Sequence, residues 1–267
     1  MDFTKVSLTR ELDTSLARQN YEKLDEEYYD DLESIILDHS LTTKDILQGF
    51  LSFTRRRDLV RLVAHYELFK IIQNLPGSII EVGVYKGNGL FTWSKLMETF
   101  LPGDRIKKVI GFDHFQGYNN FHQIDENVPD FIDKNFKEKY DLKGDYNIIK
   151  KLIKLHNQDN IIRGLERCLL IYGDVMETIP RFITATAGLR ISLLNLDVNL
   201  YEPTKLALEK FFPLVVPGGI ISLNAYGQQP FEGESKAVDE LIASLPYSVK
   251  LNRFPFSTIP SAYFIKQ

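Results

Sequence analysis

Cysteine is all but absent from this chain of 267 residues: Cys168 stands alone. An intramolecular disulfide is therefore excluded, and with it the stapled scaffolds of small secreted domains. Cys168 opens the apolar run Cys168-Leu169-Leu170-Ile171-Tyr172, which predicts a buried core thiol rather than a reactive one. The sequence also has no stretch of about 18 apolar residues and no N-terminal apolar leader core, so a soluble, cytoplasmic protein without membrane contact is expected. An excess of positive charge is missing too: 32 Lys and Arg against 36 Asp and Glu leave a net charge of −4. That removes any general attraction to nucleic acid or anionic lipid. With 44% hydrophobic residues, the chain is long and apolar enough for one sizeable core with an appended segment.

The stretch Ser78-Ile79-Ile80-Glu81-Val82-Gly83-Val84-Tyr85-Lys86-Gly87-Asn88-Gly89 organises the rest. An apolar run reaches an acidic residue, turns through glycines and enters a helical pattern from Leu90 to Phe100, as a parallel strand does when it meets a helix across a ligand site. Gly83 and Gly87 would admit a ligand close to the backbone, and Glu81 would point a charge into the same crevice. The spacing is E-x-G-x-x-x-G-x-G, not the G-x-G-x-x-G of dinucleotide sites, which disfavours an NAD-dependent oxidoreductase.

Further strands follow. Lys108 to Asp113 ends in an acid, whose two oxygens suit a ribose diol. Cys168 to Asp174 ends in Gly173, which permits close approach, and Asp174, which could accept from an exocyclic adenine amine. Ile191 to Asp197 again places a carboxylate at the same edge, and Pro217-Gly218-Gly219 turns into a strand from Ile220 to Leu223. Ser248 to Phe254 and Ala262 to Lys266 read as a closing pair without an intervening helix, hence an antiparallel edge. Strands alternating with helices specify an α/β, doubly wound, mostly parallel sheet.

Two segments stand outside that repeat. Residues 1–56 read as a helical arm whose acidic block from Asp25 to Asp31 marks a solvated face, while its tyrosines and Ile35-Ile36-Leu37 suggest packing on another surface, a second subunit being one candidate. Thr42 or Thr43 caps a helix starting near Lys44, and Leu59, Leu62, Val63, Tyr66, Phe69 and Ile72 give an amphipathic helix from Arg57. The triplet Arg55-Arg56-Arg57 reads as surface charge. Residues 114–158 form an insertion rich in aromatic and charged side chains, among them Phe115, Tyr118, Phe121, His122, Phe131, Phe136, Tyr140 and Tyr146. That composition suits a lid or acceptor-binding segment for a sugar-like acceptor, and equally a small helical lid whose rings pack on the core.

Over roughly residues 57–267 the chain resembles the macrocin O-methyltransferase family of class I methyltransferases, which depend on S-adenosyl-L-methionine (SAM). The resemblance rests on Ala64-His65-Tyr66-Glu67-Leu68-Phe69-Lys70, the Glu81 to Gly89 loop, Gly111-Phe112-Asp113, Leu196-Asp197-Val198-Asn199-Leu200-Tyr201-Glu202-Pro203-Thr204, Pro217-Gly218-Gly219, and the run from Gly233 to Glu240. It implies a Rossmann-like, seven-stranded, mostly parallel sheet with an N-terminal helical extension and a helical lid insertion, in a homo-oligomer. It implies methyl transfer to an oxygen, or less readily a nitrogen, of a small sugar-like or nucleotide-linked acceptor in natural-product or surface-polysaccharide biosynthesis, with S-adenosylhomocysteine as product. Glu81, Gly83, Tyr85, Gly87, Asp113, Gly173, Asp174 and Asp197 would line the SAM site, with Asp197 where the methyl group meets the acceptor.

The departures carry their own expectation. The family holds a divalent metal, typically Mg2+, on a D-x-D motif and a second acidic pair; the corresponding residues here are Asp197, Asn199, Asn224 and Ala225. One carboxylate with two amides is a poor cage for a hard cation, so no metal is expected to be required. Asp197 would then act as general base, assisted by His114 or Tyr226. A non-catalytic binding or partner subunit built on the same fold is the alternative; the lost ligands favour it, and the intact Glu81, Asp113 and Asp174 oppose it.

Overall fold

The computed structural model describes residues 16–135 and 145–267. The earliest part of the arm, and Phe136 and Tyr140 of the insertion, lie outside the described residues. The chain divides into two compact units, Met1–Val60 and Arg61–Gln267.

The first unit is helical: α1 (Leu16–Asp38), α2 (Thr43–Gln48), α3 (Phe50–Phe53) and the start of α4 (Arg56–Ile72). Thr42 caps α2 in a reciprocal box, its hydroxyl accepting from the Asp45 amide at 3.3 Å while the Asp45 carboxylate accepts from the Thr42 amide at 2.9 Å. The Arg55 guanidinium lies over the Tyr28 ring, 4.6 Å from its centre, so this arginine of the triplet is engaged locally.

The second unit is built on a sheet with strand order β3-β2-β1-β4-β5-β6. Its strands are β1 (Ser78–Val82), β2 (Val109–Asp113), β3 (Cys168–Tyr172), β4 (Ile191–Leu196), β5 (Val215–Leu223) and β6 (Ala262–Ile265). The first five are parallel, and β6 pairs antiparallel with β5. The connecting helices are α5 (Asn88–Phe100), α6 (Val128–Asn135), α7 (Tyr146–Gln158), α8 (Val175–Ala185), α9 (Tyr201–Phe211) and α10 (Glu232–Ser244). β1 and β4 are buried along their whole length, and both are mostly apolar, with Ser78, Glu81, Ser192 and Asn195 as buried polar residues among them. One layer of the core gathers Leu68, Phe69, Trp93 and Met97; the other gathers Phe112, Ile179, Phe211 and Val238. Cys168 is buried as expected, and burial pushes its thiol up to about 12.

Six strands, not seven, make the sheet among the described residues. The segment Ser248–Phe254 contributes a single bridge, in which Asn252 and Tyr263 exchange two backbone hydrogen bonds of 2.8 Å. Just beyond it the chain turns, the Phe254 carbonyl accepting from the Ser257 amide at 3.2 Å, and the ladder goes no further that way. β5 also begins at Val215 rather than Ile220. Pro217-Gly218-Gly219 lie within it, where the pairing slips from Ile191–Val215 to Leu193–Ile220. The strand order reverses at β1, whose successors in sequence lie on one side and whose later neighbour β4 lies on the other. The crevice between the carboxyl ends of β1 and β4 is therefore the topological switch point.

Candidate active site

The carboxyl ends of β1 to β5 bring most of the sequence-derived residues to one edge, but Glu81 is a correction. Its side chain is 1% exposed, beneath the first turn of α5 rather than in the crevice. It accepts hydrogen bonds from the Trp93 indole (2.8 Å) and the Asn195 amide (3.2 Å). Burial pushes the carboxyl up to about 8, against the opposing pull of Arg61. Gly89 is glycine because a Cβ there would strike the Glu81 carboxylate. Gly83, at φ +93°, has a comparable reason: a Cβ would run into the carbonyl oxygen of Asp197. The first glycine of the loop thus makes room for the end of β4.

Asp113, at the end of β2, clamps that loop. One carboxylate oxygen accepts from the amides of Val84 and Tyr85, both at 2.7 Å, and the other accepts from the Phe115 amide at 2.6 Å. Tyr85 and Phe115 adopt positive φ values of 51° and 58° where the clamp draws the chain round. Gly87, at φ +85°, precedes α5. Gly173, at φ +130°, donates its amide to the carbonyl of Asp113. Asp174 caps α8, one carboxylate oxygen accepting from the Met176 amide at 2.9 Å. Beside these acids stand three rings that the sequence did not connect. Tyr172 packs on Tyr146 with ring centres 4.4 Å apart and lies nearly parallel to Phe115, 13° between planes. Tyr172 is 51% exposed, an aromatic face open at the end of β3.

Asp197 lies at the other end of the edge. Its carboxylate is held by the Arg61 guanidinium of α4 at 2.5 Å. Burial raises its pKa above the usual carboxylate range, the Arg61 charge opposes that, and the Asp113 charge adds to it. Asn199, at φ +60°, donates to the Tyr118 hydroxyl at 2.6 Å and accepts from the Asn224 amide at 3.3 Å. Burial pushes the Tyr118 phenol up, and the nearby Asp197 charge pushes it further. Tyr118 and Phe131 both pack on Phe231, so the described part of the insertion carries aromatic residues to this end of the crevice.

Of the two assistants expected for Asp197, neither hydrogen-bonds to it among the described residues. The His114 ring accepts from the Gln116 amide at 3.0 Å and so fixes a turn. Tyr226 donates its hydroxyl to Asp239 of α10 at 2.7 Å; burial, with this bond, pushes the phenol up to about 12. Arg61 is a residue that the sequence reading left aside, and Tyr118 and Glu234 are ones to which it gave no role at the site. Glu234 is fully buried, accepts from the Ala225 amide at 2.8 Å and is pushed up to about 8 by burial. In sequence it was marked only as part of the run from Gly233 to Glu240.

These side chains do not fit a magnesium ion. The Asp197 carboxylate faces a guanidinium, the two asparagine side chains are bonded to each other and to Tyr118, and Ala225 has no ligand atom. Among the described residues, no group of three or more His, Cys, Asp or Glu stands together in a way that could hold a metal ion. A SAM molecule, by contrast, would meet chemistry suited to it: spare lone pairs on Asp113 and Asp174 and a stacking surface on Tyr172.

Comparison with known proteins supplies the family. The model of the family "Macrocin-O-methyltransferase (TylF)" matches residues 51–242. A curated relative, the 8-demethyl-8-(2,3-dimethoxy-alpha-L-rhamnosyl)-tetracenomycin-C 4'-O-methyltransferase of Streptomyces olivaceus, is 22% identical over 171 residues, covering 58% of this chain. The chain spans about half the length of that relative, 55%. Among solved structures, the calicheamicin methyltransferase CalS11 superimposes with a TM-score of 0.78 at 23% identity, covering 90% of this chain and 91% of that one. The apo structure of CalS11, described as a TDP-rhamnose 3'-O-methyltransferase, gives 0.74 at 24% identity over 90% and 93%. The O-methyltransferase NovP gives 0.61 at 21% identity over 78% and 79%. At these identities the structural likeness speaks for the fold, a class I methyltransferase fold, and the family model carries the assignment: the chain belongs to the macrocin O-methyltransferase family.

Proposed function

We propose that the protein transfers a methyl group from SAM to a hydroxyl of a small sugar-like or nucleotide-linked acceptor in natural-product or surface-polysaccharide biosynthesis, without a required metal. The observation that carries this reading is the shared edge: the glycine loop, Asp113, Asp174 and the open Tyr172 face on one side, and Asp197 with Asn199, Asn224 and Tyr118 on the other. In this reading residues 57–267 form the catalytic domain, residues 114–158 its lid, and residues 1–56 an arm used in assembly of a homo-oligomer. Asp113 would take the ribose diol, Tyr172 would stack on adenine and Asp174 would accept from its amine. The acceptor oxygen attacks the sulfonium methyl in line, the C–S electron pair returns to sulfur, and S-adenosylhomocysteine forms. The hydroxyl proton passes to Asp197, whose raised pKa makes it a better base than an exposed aspartate. The work of the enzyme is alignment, since the sulfonium is already activated.

The rhamnose-linked substrates of CalS11 and of the Streptomyces olivaceus relative support a deoxysugar as the first acceptor to try. The experiment is a calorimetric titration of S-adenosylhomocysteine in EDTA, followed by methyl transfer from labelled SAM to TDP-rhamnose and to rhamnosylated aromatic polyketides. Micromolar binding in EDTA is expected. Binding that appears only with Mg2+ would overturn the metal-free reading, and silence under both conditions would overturn the methyltransferase reading. A second reading, a non-catalytic subunit on the same fold, is favoured by the pairing of Asp197 with Arg61; binding of S-adenosylhomocysteine without turnover of any hydroxylated acceptor would select it.

A further inference from the structure

The cation at the acceptor end of the crevice belongs to the chain itself. Asp197 is surrounded by charged and titratable groups from five places: Arg61 of α4, Glu81 of β1, Asp113 of β2, Tyr118 of the insertion and Glu234 of α10. Arg61 is the one positive group in that set. Glu81 and Glu234 are fully buried and hydrogen-bonded, Asp113 accepts from three backbone amides, and Tyr118 bonds to Asn199. The Arg61 guanidinium is planar and permanently charged, and with one N–H group donating to Asp197 at 2.5 Å it keeps others for a second partner. Its Nε is buried and without a hydrogen-bond partner among the described residues.

We propose that Arg61 is the resident cation of the acceptor site, a positioning residue that fills the place on Asp197 which a divalent ion would otherwise need. The inference rests on the methyltransferase reading above and gives it a physical cause. A divalent ion brought to Asp197 would lie a few ångströms from a fixed guanidinium, where repulsion in a poorly solvated site cancels much of its attraction to the one carboxylate. The loss of carboxylates at Asn199 and Ala225 and the presence of Arg61 are then two halves of one arrangement. A site with several carboxylates needs the charge of a bound ion, whereas a site with one is neutralised by a side chain. The pair also fixes the direction of the Asp197 lone pairs, which a hydrated ion exchanging with solvent would not.

The test needs no knowledge of the acceptor. Mn2+ serves as the probe, its binding followed by electron paramagnetic resonance in wild type, Asn199→Asp, Arg61→Ala/Asn199→Asp and Arg61→Lys/Asn199→Asp. Thermal unfolding and calorimetric binding of S-adenosylhomocysteine are measured on the same samples. Aspartate is isosteric with Asn199 and tolerates its positive φ, so the second carboxylate is introduced without strain. Wild type and Asn199→Asp are expected to bind Mn2+ weakly or not at all. Removing Arg61 in the Asn199→Asp background should tighten binding by about tenfold or more, and lysine in place of Arg61 should return it to the weak state. Equal Mn2+ affinity with and without Arg61, or a stoichiometric Mn2+ site in wild type, would overturn the proposal. Failure of folded wild type to bind S-adenosylhomocysteine would instead count against the methyltransferase reading, and the Mn2+ comparison would still judge Arg61.

Discussion

Replacing Glu81 with glutamine tests the electrostatics of the loop most directly. Burial lifts this carboxyl from an ordinary 4.5 to about 8, so at neutral pH the folded protein keeps a proton that the unfolded chain gives up. The associated stability is complete below about pH 4.5, falls as pH rises, and is gone above about pH 8. At about 1.4 kcal/mol per pH unit, that interval corresponds to a loss of about 5 kcal/mol, an upper figure because Glu81 is coupled to the Asp197 carboxyl beside it. Glu81→Gln has nothing to ionise, and its carbonyl can still accept from Trp93 and Asn195. The assay is urea unfolding of wild type and variant at intervals from pH 5 to pH 9. The variant should lie close to wild type at pH 5, where the folded protein holds a neutral side chain in both, and should become progressively the more stable one as pH rises toward 8 and above. Parallel curves across that range would refute the reasoning and mean that Glu81 is ionised in the folded protein.

Three other outcomes follow from the same edge. Gly83→Ala should lose about 3 kcal/mol or more in thermal or denaturant unfolding, since strained backbone and a clash with the Asp197 carbonyl combine; an unchanged melting temperature would mean that the loop is not so closely packed. Asp113→Ala should weaken S-adenosylhomocysteine binding by about a hundredfold in calorimetry, because the amides of Val84, Tyr85 and Phe115 lose their acceptor and the ribose loses its own. Tyr172→Ala should reduce cofactor affinity by about tenfold while leaving stability nearly unchanged, because the ring is half exposed before any ligand arrives. A large stability loss in that variant would make Tyr172 a core residue instead.

The parallel core was legible because its strands are apolar on both faces: Ile79-Ile80 and Leu193-Leu194 need no partner to be recognised as buried. The carboxylates that end β2 and β4 were legible for the same reason, each marking the point where an apolar run meets the solvent edge. Ser248–Phe254 was not, since alternation of side chains shows a strand-like backbone but not whether a neighbour pairs with it for more than one residue. Arg61 escaped notice because periodicity separates the apolar face of a helix from the polar one and is silent about what a polar residue meets. Its partner is 136 positions away in sequence. Glu81 looked like a crevice residue by position, and only the packing of α5 over the end of β1 reveals that its carboxyl is roofed in.

The Asp113 clamp has one more consequence, which concerns what the loop turns away. The backbone amides after a glycine turn of this kind are the natural seat of a phosphate. Here those of Val84 and Tyr85 already serve a negative charge supplied by the protein. A pyrophosphate entering the loop would have to displace a tethered carboxylate and then lie beside it, so the fold excludes dinucleotides by filling their anion seat from within. A nucleoside whose linkage carries a positive charge meets no such rival.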